Sequence, residues 1–116
     1  MSQTEEWIPN VEKVDGDDRR SMGYIRSLLA EGRHDDAIDE LRAMIVKEPT
    51  NTQAVLGLGL TFLGLGRLEE AAQQFETAMD IDPASEAPAM LAAQVGVRGD
   101  NPGYAEANYH KALERN

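Results

Sequence analysis

Four places in the sequence carry residue types that can do chemistry. His34-Asp35-Asp36 offers an imidazole and two carboxylates, the donors of a metal site or a general base. Adjacent residues at a helix start point in different directions, whereas a helical metal pair wants ligands four residues apart. Asp15-Gly16-Asp17-Asp18 has the acid density of a calcium loop, but the downstream glycine and bidentate glutamate are missing at the required spacing. His110 has no triad partner and reads as a surface residue. Gly57, Gly59, Gly64 and Gly66 are as dense as in a phosphate-cradling loop, yet no strand precedes them. They read instead as points of close helix contact, each at about 1 kcal/mol relative to alanine. There is no cysteine, which removes thiol catalysis, thiolate metal sites and disulfides. The expectation is a chain with no catalytic residues, no cofactor and no metal.

The elements that would position any site emerge from composition and spacing. The 116 residues have room for one domain or a short repeat array, and 41% hydrophobic with 28% charged residues fits a soluble globular protein. With 21 acidic against 11 basic residues the net charge is -10, which argues against a nucleic-acid groove. No apolar run approaches the roughly 18 residues of a membrane span, so no membrane insertion is expected. The acidic start lacks the basic and apolar regions of a signal peptide, which points to the cytoplasm.

Sliding the chain against itself by 34 residues aligns three stretches without a gap. Gly32-Arg33 falls on Gly66-Arg67, Ala37 on Ala71 and Ala105, Leu41 on Phe75 and Tyr109, and Pro49 on Pro83. Met44 matches Ala78 and Ala112. Each unit reads as a helix pair: first helices over 19–31, 52–65 and 86–97, second helices over 34–47, 68–81 and 102–115. Gly32 and Gly66 stand where the chain turns back and a left-handed residue is needed. In the third unit Gly99 supplies the glycine, Asn101 the cap and Pro102 the first helical residue. Pro49 and Pro83 end second helices, and Asn51 and Ser85 are expected to cap the next ones. Asp35, Asp36, Glu69 and Glu70 complement the helix dipole in first turns, so part of the acidity is structural.

The middle unit reads Val55-x-x-Leu58-Gly59-x-x-Phe62, then Gly66, Ala71-x-x-x-Phe75, Ala78 and Pro83. It resembles a tetratricopeptide repeat, with Val55 for the usual tryptophan and Phe62 for tyrosine. The first unit, 18–51, is a weaker match, with Ser21, Tyr24, Ile25 and Leu28 in those slots. The third, 86–116, keeps Ala105, Tyr109 and Ala112 but has Gly96 where Phe62 would fall. The resemblance implies an all-α, right-handed α-solenoid of three helix-turn-helix repeats (18–51, 52–85 and 86–116) with a concave and a convex side. Residues 1–17 are left as an acidic, disordered lead-in, within which Trp7 and Ile8 stand as a candidate anchor on the first unit or on a neighbouring molecule. Val55, Leu58, Gly59 and Phe62 share one helical stripe that must bury against Ala71, Phe75 and Ala78. A single pair cannot bury both faces, so the units stack.

A second apolar stripe is the functional clue. Leu56, Leu60 and Leu63 lie away from Leu58 and Phe62; the repeat places Met22, Arg26 and Leu29 in the same slots of the first unit and Met90, Gln94 and Val97 in those of the third. In proteins that resemble this one, those slots line the concave groove, which implies a peptide-binding strip for an amphipathic helix or extended segment. The other reading of the same residues is plain packing of first helices on one another. Arg26 and Arg98 are the only basic groups near the strip, with Arg19 at its end, so the lysine and asparagine clamp that repeats of this family use for chaperone C-termini is not assembled. Arg26 either meets a peptide carboxylate or an internal partner such as Asp36 or Glu40.

The functional expectation is a non-catalytic adaptor or scaffold with a protein or peptide partner. A secretion-type chaperone for one client and a self-assembling structural module are the alternatives. With no polar capping helix after Arg115-Asn116, Tyr109 and Leu113 would be partly exposed, which leaves room for a homodimer through the last repeat or for continuation in a longer parent protein.

Overall fold

In the computed structural model, residues 22–115 are described. The Asp15–Asp18 run, Arg19, the Trp7 segment and the 1–17 lead-in lie outside the described residues. Among the described residues six helices succeed one another: α1 Met22–Ala30, α2 His34–Lys47, α3 Thr52–Gly64, α4 Leu68–Ile81, α5 Ala87–Arg98 and α6 Pro102–Arg115. They pair as α1/α2, α3/α4 and α5/α6, each helix packing on the next in the chain, in an all-α right-handed solenoid of three repeats. No described helix is long and apolar enough to cross a membrane.

The repeat is visible in its turns. At the end of α1 the Arg33 amide donates to Leu28 O at 2.8 Å and Gly32 to Leu29 O at 3.0 Å. Arg67 to Phe62 O and Gly66 to Leu63 O give the same two distances at the end of α3, and Asn101 to Gly96 O (2.7 Å) and Asp100 to Val97 O (3.2 Å) complete the set after α5. This is the two-bond closure in which a left-handed residue ends a helix. Gly32 and Gly66 both sit at φ 78°. In the third turn the left-handed residue is Asp100 (φ 57°) rather than Gly99 (φ -90°), because Asp100 holds the slot 34 residues after Gly66.

Asn51 caps α3, its Oδ1 accepting from the Ala54 amide at 3.1 Å, and Asn101 caps α6 in the same way for Tyr104 at 3.1 Å. Ser85 does not cap α5. That helix starts at Ala87, Glu86 holds the cap position without a side-chain cap bond, and Pro88 lies in the first turn, where its missing N–H costs nothing. Arg33 Nε donates to Asp36 (2.9 Å) and Arg67 to Glu70 (2.6 and 2.8 Å), tying each turn to the helix it opens.

The core runs through all three pairs. Phe62, Phe75, Ile25, Leu28, Leu41 and Val55 are fully buried, with Ala37, Ala54, Ala71 and Ala78 letting helices approach. A Cβ on Gly59 would lie 2.5 Å from the Phe75 ring, so glycine there seats the aromatic against α3. The Arg67 guanidinium stands 4.7 Å from the Phe62 ring centroid. The third pair has no aromatic at Gly96; instead α5 and α6 close up until a Cβ there would be 2.6 Å from the Ala105 nitrogen.

Candidate functional site

The first helices supply an apolar concavity. A cavity of about 390 Å³ opens between α1 and α3. Met22, Ile25, Arg26 and Leu29 of α1 form one wall, and Gly57, Leu60, Thr61 and Gly64 of α3 the other, with His34 at the start of α2. These residues meet because positions three and four apart share a helical face. Gly57 keeps the floor low: a Cβ there would touch Met22 Cε at 3.0 Å and Leu41 Cδ2 at 3.2 Å. The Thr61 hydroxyl is used within α3, donating to Gly57 O at 2.8 Å. The volume falls within the roughly 300–1,000 Å³ of small-ligand and side-chain pockets, and the walls are mainly apolar.

Two polar groups stand in this apolar setting. Arg26 is exposed and has no ion-pair partner among the described residues; Asp36 is engaged by Arg33 instead. His34 Nδ1 is buried without a hydrogen-bond partner. Among the described residues no three His, Asp or Glu side chains gather as a metal site.

Of the nine residues in the predicted strip, Met22, Arg26, Leu29 and Leu60 come together in this cavity. Leu60 is 46% exposed, a large apolar side chain left open to solvent. Met90, Gln94 and Val97 are exposed along α5, continuing the first-helix series. Leu56 is half-buried against the core and Leu63, at 5% exposure, is part of it. The middle unit has neighbours on both sides, so a slot open in the third unit is covered in the second. Ile25, His34, Gly57, Thr61 and Gly64 line the cavity without having stood in the predicted strip. The small residues at 57 and 64, one turn either side of Leu60, are the signal that could have found them.

A second hollow of about 560 Å³ lies at the end of the array, lined by Gly96, Val97, Asn101, Pro102, Ala105 and Tyr109 among others. Tyr109 is 40% exposed, whereas Phe75 in the same slot of the second unit is fully covered; Leu113 is 68% exposed. Neighbouring helices account for the difference: α4 is covered by α5, whereas among the described residues no helix comes after α6.

The comparisons with known proteins agree with this fold. A family model for the tetratricopeptide repeat matches residues 28–95. A crystal structure of MamA superposes with a TM-score of 0.74 at 21% identity, covering 78% of this chain and 53% of that one. MamA from Desulfovibrio magneticus RS-1 (residues 41 to end) gives 0.71 at 25% identity over 78% of this chain and 51% of that chain. The Yersinia enterocolitica type III secretion translocator chaperone SycD, in an alternative dimer, gives 0.74 at 20% identity, covering 80% and 70%. The chain thus spans about half the length of the MamA structures. No curated protein sequence matches it. With the helix pairs, the threefold turn and a matched region of more than half its length, the chain belongs to the tetratricopeptide repeat family.

Proposed function

We propose that this protein is a non-catalytic adaptor that holds a segment of a protein partner, an amphipathic helix or an extended peptide, along its first helices. One observation carries the reading: the apolar cavity between α1 and α3, with Leu60 open to solvent on its wall and Met90 and Val97 continuing the exposed apolar series on α5. An exposed apolar strip on a protein of net charge -10 is a surface that costs solubility unless something covers it. Each leucine buried by the ligand contributes roughly 1.5–3 kcal/mol, and ordering costs offset much of that. The expected affinity is on the order of micromolar. Arg26 adds a preference for a ligand with negative charge beside its apolar anchor.

The test is affinity capture from native lysate with wild type and with Leu60→Asp/Met90→Asp, both checked for helicity by circular dichroism. A partner kept by wild type and lost by the folded double variant supports the groove. Equal capture by both moves the function elsewhere on the surface.

A second reading, self-association through the last repeat, is favoured by the open hollow at Gly96–Tyr109 and by exposed Leu113. Light scattering of wild type against Tyr109→Glu/Leu113→Glu separates it from the groove: loss of a dimer only in the latter variant supports it. The likeness to a translocator chaperone supports a client-holding version of the groove, whose client would be unstable when expressed alone.

A further inference from the structure

We infer that the α1/α3 cavity is the docking site of the chain's own N-terminal segment, residues 5–9, so that an outside ligand must displace it. This rests on the groove reading above and adds an occupant to it.

The cavity asks for a bulky apolar group with negative charge beside it. Its walls are Met22, Ile25, Leu29 and Leu60, and the one charged group on them, Arg26, has no ion-pair partner among the described residues. Residues 5–9 read Glu-Glu-Trp-Ile-Pro: two carboxylates, then the chain's single tryptophan and an isoleucine. Pro9 biases Ile8 to extended backbone, the conformation in which a short apolar pair is laid into a groove. A tryptophan side chain buries about 150–250 Å², and aromatic anchors of this kind dominate interfaces.

Connectivity delivers the segment to this site. The chain enters α1 at Met22, and Met22 is itself a wall of the cavity. Trp7 precedes it by 15 residues, and a random coil of that length has a root-mean-square end-to-end distance of about 20 Å. That places the indole within reach of a wall formed by the residue it is tethered to. Such a tether gives an effective concentration of order millimolar, enough to keep a weak intrinsic site filled. The occupied groove then lowers the apparent affinity of any outside ligand in proportion to the fraction of open molecules.

The experiment uses the full chain, in which Trp7 is the only tryptophan, together with a fluorescein-labelled peptide of residues 1–15. Trp7 emission in wild type is expected to lie blue of free tryptophan and to resist iodide quenching, unchanged on hundredfold dilution. Leu60→Asp is expected to move it to the free position with helicity intact. Arg26→Glu, at an exposed position, gives a second, smaller red shift. The labelled peptide is expected to bind Trp7→Ala at least tenfold more tightly than wild type, because the cavity is then vacant. Free-tryptophan emission in wild type overturns the proposal, as does a blue emission that neither variant shifts. A blue emission lost on dilution overturns it in favour of docking on a second copy. Equal peptide affinity for wild type and Trp7→Ala, including no binding to either, also overturns it. The two readings fail separately: if Trp7 emits as free tryptophan while Leu60→Asp/Met90→Asp still loses a captured partner, the groove stands and its self-occupation falls.

Discussion

The Tyr104 hydroxyl donates a 2.6 Å hydrogen bond to Glu76 Oε2, joining α6 to α4 across 28 positions of sequence. It reaches from the third repeat to the second and bypasses α5. Burial, reinforced by that bond to a carboxylate, raises the phenol well above its ordinary value. The folded protein therefore keeps a proton that the unfolded chain releases near about pH 10. The contribution is complete below about pH 10 and is lost as pH rises further towards the folded value. Thermal melts between neutral and strongly alkaline pH should show Tyr104→Phe less stable by about 1 kcal/mol at neutral pH, with the gap closing above about pH 10. A gap constant across that range would remove the bond from the account.

Gly96 and Gly103 should respond oppositely to alanine. The Gly96 Cβ would lie 2.6 Å from the backbone nitrogen of Ala105, which no side-chain rotation relieves, so Gly96→Ala is expected to cost about 2 kcal/mol. At Gly103 the nearest atom is Asn101 Oδ1 at 3.8 Å, and the residue is helical, so Gly103→Ala should stabilise by about 0.5–1 kcal/mol. Urea titration of both variants measures the pair.

Asp100 occupies the left-handed slot that glycine fills in the other two turns. A left-handed backbone costs a non-glycine residue about 1–2 kcal/mol, and glycine gives back part of that as chain entropy. Asp100→Gly should raise stability by about 0.5–1 kcal/mol in the same titration. A loss would mean that the aspartate side chain supports the turn.

Phe75 and Tyr109 test whether the array ends open. They hold one repeat slot, yet Phe75 is fully buried and Tyr109 exposed. Phe75→Ala is expected to cost about 3–5 kcal/mol, a cavity-forming loss. Tyr109→Ala in a monomer should cost about 1 kcal/mol or less. A Tyr109 loss as large as that at Phe75 would mean that its face is covered in solution.

The fold was legible because the 34-residue offset repeats turn chemistry as well as apolar spacing. Gly32, Gly66, Asn51 and Asn101 each do the local task their residue type suggests. Gly99 and Ser85 misled for different reasons: the register puts the left-handed turn one residue on, at Asp100, whereas Ser85 holds the slot of Asn51 but α5 starts only at Ala87, with Glu86 at the cap position making no side-chain cap bond. The predicted strip was legible in direction and not in depth. Periodicity placed Leu29, Leu63 and Val97 in one slot, yet they are half-buried, buried and exposed in turn, because what covers a slot belongs to the neighbouring unit. His34 entered the cavity by tertiary placement, which no spacing along one helix reports.

The threefold turn closure separates two jobs that globular proteins usually mix. The path of the superhelix is written in backbone amides, a left-handed residue and small side chains at the pair contacts, while Arg26, Leu60, Met90 and Gln94 project from it and contribute little to its shape. These exposed side chains are thus close to an interchangeable insert in a fixed frame. If the groove binds as proposed, a lineage, or a designer, can exchange those four side chains for others while the helix pairing that presents them stays as it is.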